Sequence, residues 1–102
     1  MADSPVIRRR FETPVSRQAV AENWEQRGYD CRLFVDQPGQ EWNGFTHSTN
    51  ELVTVVEGRL EMRMQGVVIK LEPGDELFIP RLVEHSVRNS HSGITRWLFG
   101  YD

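Results

Sequence analysis

The sequence holds a single cysteine, Cys31, so no intramolecular disulfide can staple the chain. No segment approaches the roughly 20 consecutive apolar residues that cross a bilayer as a helix. The opening stretch, Met-Ala-Asp-Ser-Pro-Val-Ile-Arg-Arg-Arg, lacks the apolar centre of a secretory signal. Internal repeats and low-complexity segments are missing too. Nor is there a basic excess: twelve Lys and Arg face fifteen Asp and Glu, a net charge of -3. That balance argues against nucleic acid or an anionic membrane as partner. Together these absences predict a soluble cytoplasmic protein. Its 102 residues fit one domain, 1–102, led by an N-terminal arm over 1–14. A chain this size buries roughly 60–70% of its unfolded surface. The core is therefore modest, and the chain is expected to pair into a homodimer that adds to it.

The remaining residues punctuate the chain clearly. Arg17 to Arg27 reads as the one helix, with Ser16 as N-cap, Gly28 as stop, and Val20 and Trp24 on a shared face. Elsewhere the pattern is strand and turn. Pro73-Gly74 before Asp75 marks a turn, because proline presets the first φ and glycine permits a positive second one. Glu57-Gly58 divides two strand-like runs and reads as a hairpin, as does Gln65-Gly66 after the next run. Short strands with turns every eight to twelve residues predict a sandwich or barrel. Arg8, Arg9 and Arg10 read as a solvated arm. Cys31, in a strand-like run, reads as a packed and inert thiol.

Parity decides which side chains point inward. Leu60, Met62 and Met64 alternate with Arg59, Glu61, Arg63 and Gln65, the mark of a half-buried strand. Val83, His85 and Val87 alternate with Glu84, Ser86 and Arg88 in the same way, so His85 faces the interior. The run from Glu51 to Val56 is apolar on both faces, and both need a cover. One face is the interior; the other requires a second subunit or the helix. Glu51 opens this doubly covered strand, where a carboxylate is costly unless paired, hydrogen-bonded or bound to metal. His91, in Asn89-Ser90-His91-Ser92-Gly93, reads as an exposed loop residue. Trp97, Phe99 and Tyr101 alternate on one face of a terminal strand and read as packing, within the chain or at a subunit contact.

Residues 39–89 resemble the cupin superfamily. The family's first motif runs Gly, five residues, His-x-His, three or four residues, Glu, six residues, Gly. Here it meets Gly39, Phe45-Thr46-His47, Glu51 and Gly58. The second runs Gly, five residues, Pro-x-Gly, two residues, His, three residues, Asn, and meets Gly74, Pro80-Arg81-Leu82, His85 and Asn89. Eight of ten positions agree, and the fifteen residues between Gly58 and Gly74 resemble the family's shortest link. The resemblance implies an all-β fold, a double-stranded β-helix or jelly-roll barrel, with one short N-terminal helix. It also implies a metal held by His47, Glu51 and His85.

Two positions depart from the family. Phe45 stands where the first histidine would be and cannot ligate. Leu82 replaces a glycine and puts an apolar side chain near His85. Two imidazoles and a carboxylate resemble the set of non-haem iron oxygenases with open positions, and they also suit Mn, Zn or Ni. Phe45, Trp42, Met62 and Met64 are the candidate pocket residues, the methionines doubling as core fillers. No second acid–base residue is placed in the pocket by the sequence, so catalytic residues are left unassigned. The implied function is a metal-dependent enzyme of oxygenase or isomerase type on a small organic molecule. The alternative is a non-catalytic small-molecule-binding or sensing cupin, with or without one divalent transition metal.

Overall fold

The structure, a computed structural model, describes residues 4–102, so residues 1–3 of the expected arm lie outside it. The described elements are β1 (Val6–Ile7), α1 (Arg17–Gln26), β2 (Arg32–Asp36), β3 (Glu41–Phe45), β4 (Glu51–Glu57), β5 (Leu60–Met64), β6 (Val67–Leu71), β7 (Glu76–Ile79), β8 (His85–Asn89) and β9 (Thr95–Tyr101). Ser16 caps α1, its Oγ accepting the Ala19 amide at 3.1 Å. The helix ends at Gln26, one residue before the expected end, with Arg27 as its C-cap. Gly28 then turns the chain away with φ +88°, a conformation that glycine adopts without strain.

The strands form two antiparallel sheets, ordered β1-β7-β4-β9-β2 and β3-β8-β5-β6. They face each other as the expected jelly-roll barrel. Gln65 and Gly66, both at positive φ, close the two-residue hairpin that pairs Met64 with Val67. Glu57-Gly58 is not a hairpin. β4 pairs with β7 and β9, whereas β5 pairs with β6 and β8, so Gly58 carries the chain from one sheet to the other. A turn dipeptide between apolar runs signals a reversal, and only distant partners decide whether the next strand stays in the same sheet. Gly58 is needed there: its φ is +92°, and an added Cβ would lie 2.9 Å from the Thr95 Cα.

β4 sits at the centre of its sheet and is covered on both faces. Val53 and Val55 join Leu60, Met62, Leu77 and Trp97 in the core between the sheets. Leu52 joins Val15, Val20, Trp24 and Leu98 in a second core beneath α1. The helix therefore supplies the cover for which the sequence allowed a second subunit. It is fastened by Glu76, a buried carboxylate that accepts from Trp24 Nε1 at 2.8 Å and from both terminal nitrogens of Arg27 at 2.8 and 2.9 Å.

The arginine run differs from the expected solvated arm at Arg8. Its guanidinium donates to Asp75 at 2.8 Å and to the Lys70 carbonyl at 2.6 Å, and the Arg9 amide donates to Asp75 at 3.0 Å. Burial pushes the Asp75 carboxyl up, but the amides of Glu72 and Arg9 and the Arg8 guanidinium outweigh it and hold the group below its ordinary range.

Candidate metal centre

Three elements bring the predicted ligands together. Glu51 opens β4, His85 opens β8, and His47 lies in the connection between β3 and β4. The parity of both strands turns Glu51 and His85 inward, where they are 4% and 5% exposed. One donor atom from each residue lies within 4.8 Å of the others. Glu51 Oε1 is 3.5 Å from His47 Nε2 and 3.5 Å from His85 Nε2. That oxygen is buried and has no hydrogen-bond partner, an arrangement that is costly for a carboxylate on its own.

His85 is oriented by its backbone neighbour. Its Nδ1 lies 3.0 Å from the Val83 carbonyl, which can only accept, so Nδ1 carries the proton and Nε2 faces Glu51. This is the tautomer that a metal-ligating imidazole adopts. Burial pushes the His85 pKa down, but Glu51 and the Val83 carbonyl outweigh it, and the net shift is upward. The negative potential that draws a proton to this imidazole would equally draw a cation. Buried carboxylate, oriented imidazole and orphaned oxygen together fit a divalent transition ion.

The site opens into a cavity of about 270 Å³. Phe45, Trp42 and Met62 line it. Met64 does not line it: at the hairpin end of β5, Met64 borders a groove with Val6 and Val67 instead. Phe45 stacks on His47 at 6.2 Å between ring centroids and 13° between planes, and its ring centre is 6.3 Å from that of His85. At 39% exposure it forms part of the cavity mouth rather than a core plug. Leu82 is 72% exposed and so adds no buried apolar contact at His85. Its φ is +64°, the conformation the family's glycine would adopt freely, and its amide donates to the His47 carbonyl at 2.8 Å.

One wall of the cavity is built mostly by residues expected only as packing. Trp97, Phe99 and Tyr101 face the cavity from β9, and Phe34 faces it from β2. The alternation of the three β9 residues was visible, but which face of a strand is interior depends on the sheet it joins. Tyr101 Oη is 3.4 Å from His47 Nε2. Burial first, then the Glu51 carboxylate, raises its pKa against the opposing Arg32, so the phenol keeps its proton. Cys31 is partly buried against the outer core, and burial raises its pKa, which keeps the thiol inert. His91 is half-buried rather than exposed, with its amide donating to Asn89 Oδ1 at 2.9 Å, and it is outside the ligand cluster.

No helix among the described residues is long and apolar enough to cross a membrane. The cupin domain family matches residues 32–101 of the chain. No curated protein sequence matches it significantly. Among solved structures, a cupin 2 domain-containing protein from Halorhodospira halophila is 24% identical with a TM-score of 0.68, over 72% of this chain and 52% of that one. A cupin superfamily protein from Desulfitobacterium hafniense is 19% identical with a TM-score of 0.65, over 72% and 65%. A point mutant of salicylate 1,2-dioxygenase from Pseudoaminobacter salicylatoxidans is 23% identical with a TM-score of 0.65, over 72% of this chain and 21% of its own. The chain thus spans about half to two thirds of the two cupins and a fifth of the dioxygenase, and these likenesses are of fold.

Proposed function

Because this chain belongs to the cupin family, we propose that it holds one divalent transition metal on His47, Glu51 and His85 and is a metal-dependent enzyme acting on a small organic molecule in its barrel. The observation that carries the reading is Glu51 Oε1, buried without a hydrogen bond and 3.5 Å from an imidazole nitrogen on either side. Iron, manganese, zinc and nickel all suit this donor set. Bound there, the ion would supply Lewis acidity or a redox centre toward a substrate oxygen. Phe45 would keep one side of the site free of a protein ligand and shield it from water. Tyr101, protonated and next to His47, is the residue placed to donate a hydrogen bond or a proton to that substrate. An oxygenase or isomerase is the reaction type we favour, and the fold shared with salicylate 1,2-dioxygenase is compatible with the former.

A second reading is a binding or sensing module without turnover. It draws on the cavity walls, which offer aromatic surface and a single phenol but no acid–base pair away from the ligands. Elemental analysis of protein purified without added metal tests the main reading. About one equivalent per chain is expected in the wild type, and loss of it in Glu51→Ala and His85→Ala. A wild type free of metal that also fails to take up zinc would exclude the metal site, and full occupancy in Glu51→Ala would exclude Glu51 as a ligand.

A further inference from the structure

Behind the cavity wall lies a charge that the metal site does not use. Asp36, the last residue of β2, is fully buried. Its two carboxylate oxygens each accept one indole N–H, from Trp42 at 2.9 Å and from Trp97 at 3.0 Å. None of the ion pairs among the described residues includes Asp36. Two neutral donors compensate a buried carboxylate only in part. To hold two indoles in place, a neutral acceptor would serve with far less desolvation.

The rings in front of that carboxylate pack around Phe34 and line the cavity. Phe34 meets Trp42 edge-on, with centroids 5.6 Å apart at 90°, and meets Trp97 at 5.7 Å and 47°. Trp97 meets Phe99 at 5.3 Å and 47°. Both indole N–H groups are engaged by Asp36, so this end of the cavity offers π surface and no hydrogen-bond donor from tryptophan. A carboxylate bonded to an indole N–H also pushes electron density into the ring, which deepens the negative potential over its face. Anions and neutral oxygens find nothing to bind here. A primary ammonium would need acceptors, and the Asp36 oxygens are already occupied behind the rings.

We propose that the aromatic end of this cavity binds a small peralkylated onium cation, such as a quaternary ammonium group, over Trp42 and Trp97 with the Asp36 charge behind them. This names a substrate class for the cavity and rests on the reading that the cavity is the ligand site, though not on the metal. An oxygen-donor group on the same molecule would point toward the end carrying His47, Glu51, His85 and Tyr101.

Choline and its uncharged isostere 3,3-dimethyl-1-butanol separate charge from shape. Their binding is followed by tryptophan fluorescence and calorimetry, on the protein as purified and after chelation, with metal content measured on both samples. Choline should bind at least about ten-fold more tightly than the isostere in both samples, as expected for a cation desolvated against Trp. Trp42→Phe should weaken choline several-fold and leave the isostere unchanged, because phenyl is the poorer cation partner. Asp36→Asn should likewise remove the preference for choline. Equal affinities in the wild type, or no binding of either probe, would overturn the proposal even with a full complement of metal. Conversely, protein that carries no metal as purified and takes up no zinc, yet still prefers choline, would sink the metal reading alone.

Discussion

Replacing Phe45 with histidine puts an imidazole at the position where the family's first ligand would stand. The stability cost follows from the burial of the ring. Full burial of a Phe side chain is worth about 1.5–3 kcal/mol, but this ring is 39% exposed and an imidazole recovers part of its contact. A loss of about 1 kcal/mol is expected, or about 4–8 °C in the melting temperature of a domain this size. The gain appears only with metal. A hydrogen bond that merely supports a ligand is worth about ten-fold in affinity, so an imidazole within reach of the ion should bring no less. Each ten-fold adds about 1.4 kcal/mol to the metal-induced stabilisation when metal exceeds both dissociation constants. That corresponds to about 6–11 °C beyond the zinc-induced rise of the wild type. The assay is a pair of melting curves, with chelator and with excess Zn²⁺, on both proteins. The variant should melt lower than the wild type in chelator and recover or surpass it in zinc. A zinc-induced rise equal to the wild type's, together with a lower apo melting temperature, would refute the reasoning and leave Phe45 as packing alone.

Other outcomes follow from the same geometry. His85 has a folded pKa raised above its ordinary 6.5, so in chelator its contribution is fully present below that value and is lost as pH rises through the folded pKa. Metal-loaded protein should show the opposite trend, since ligation requires the neutral ring; parallel melting curves against pH in both states would contradict the assignment. Asp75 has a depressed pKa, so its contribution is present above the ordinary carboxylate range and is lost as pH falls through the folded value. Asp75→Asn should cost about 1–2 kcal/mol, discounted because Arg8 is half exposed, and should flatten the acid limb of stability, as read by urea denaturation at several pH values. Leu82→Asn should raise stability by about 0.5–1 kcal/mol by relieving the left-handed conformation, whereas Leu82→Gly should gain less because the unfolded chain becomes freer. A drop in urea midpoint for both Leu82 variants would show that the exposed leucine makes contacts of its own.

What was legible in the sequence divides by range. Ser16, Gly28 and the Gln65-Gly66 hairpin are set by neighbours within a few residues, and the structure follows them. The inward faces of β5 and β8 were equally legible, because a strand with one polar face has one way to sit. Glu57-Gly58 misled because a turn says nothing of which sheet receives the next strand. Arg8 misled because its partner, Asp75, is 67 residues away. The three residues named as ligands come together, yet Tyr101 and the rest of the β9 wall were read as packing. A strand apolar on both faces does not declare its interior side until its neighbours are known.

Consecutive positions on β4 serve opposite masters. Glu51 faces the two imidazoles and stands opposite Ile79 and Tyr101, while Leu52 faces the helix core and stands opposite Phe78 and Gly100. At Gly100 an added Cβ would lie 3.1 Å from the Trp24 ring, so helix and sheet approach closely there. Slipping β4 by one residue would send the carboxylate beneath Trp24 and a leucine between the histidines. Such a misthreaded barrel would lose its outer core and its ligand set in a single stroke. The boundary between Glu51 and Leu52 therefore ties the register of this one strand to the outer core and the ligand set at once.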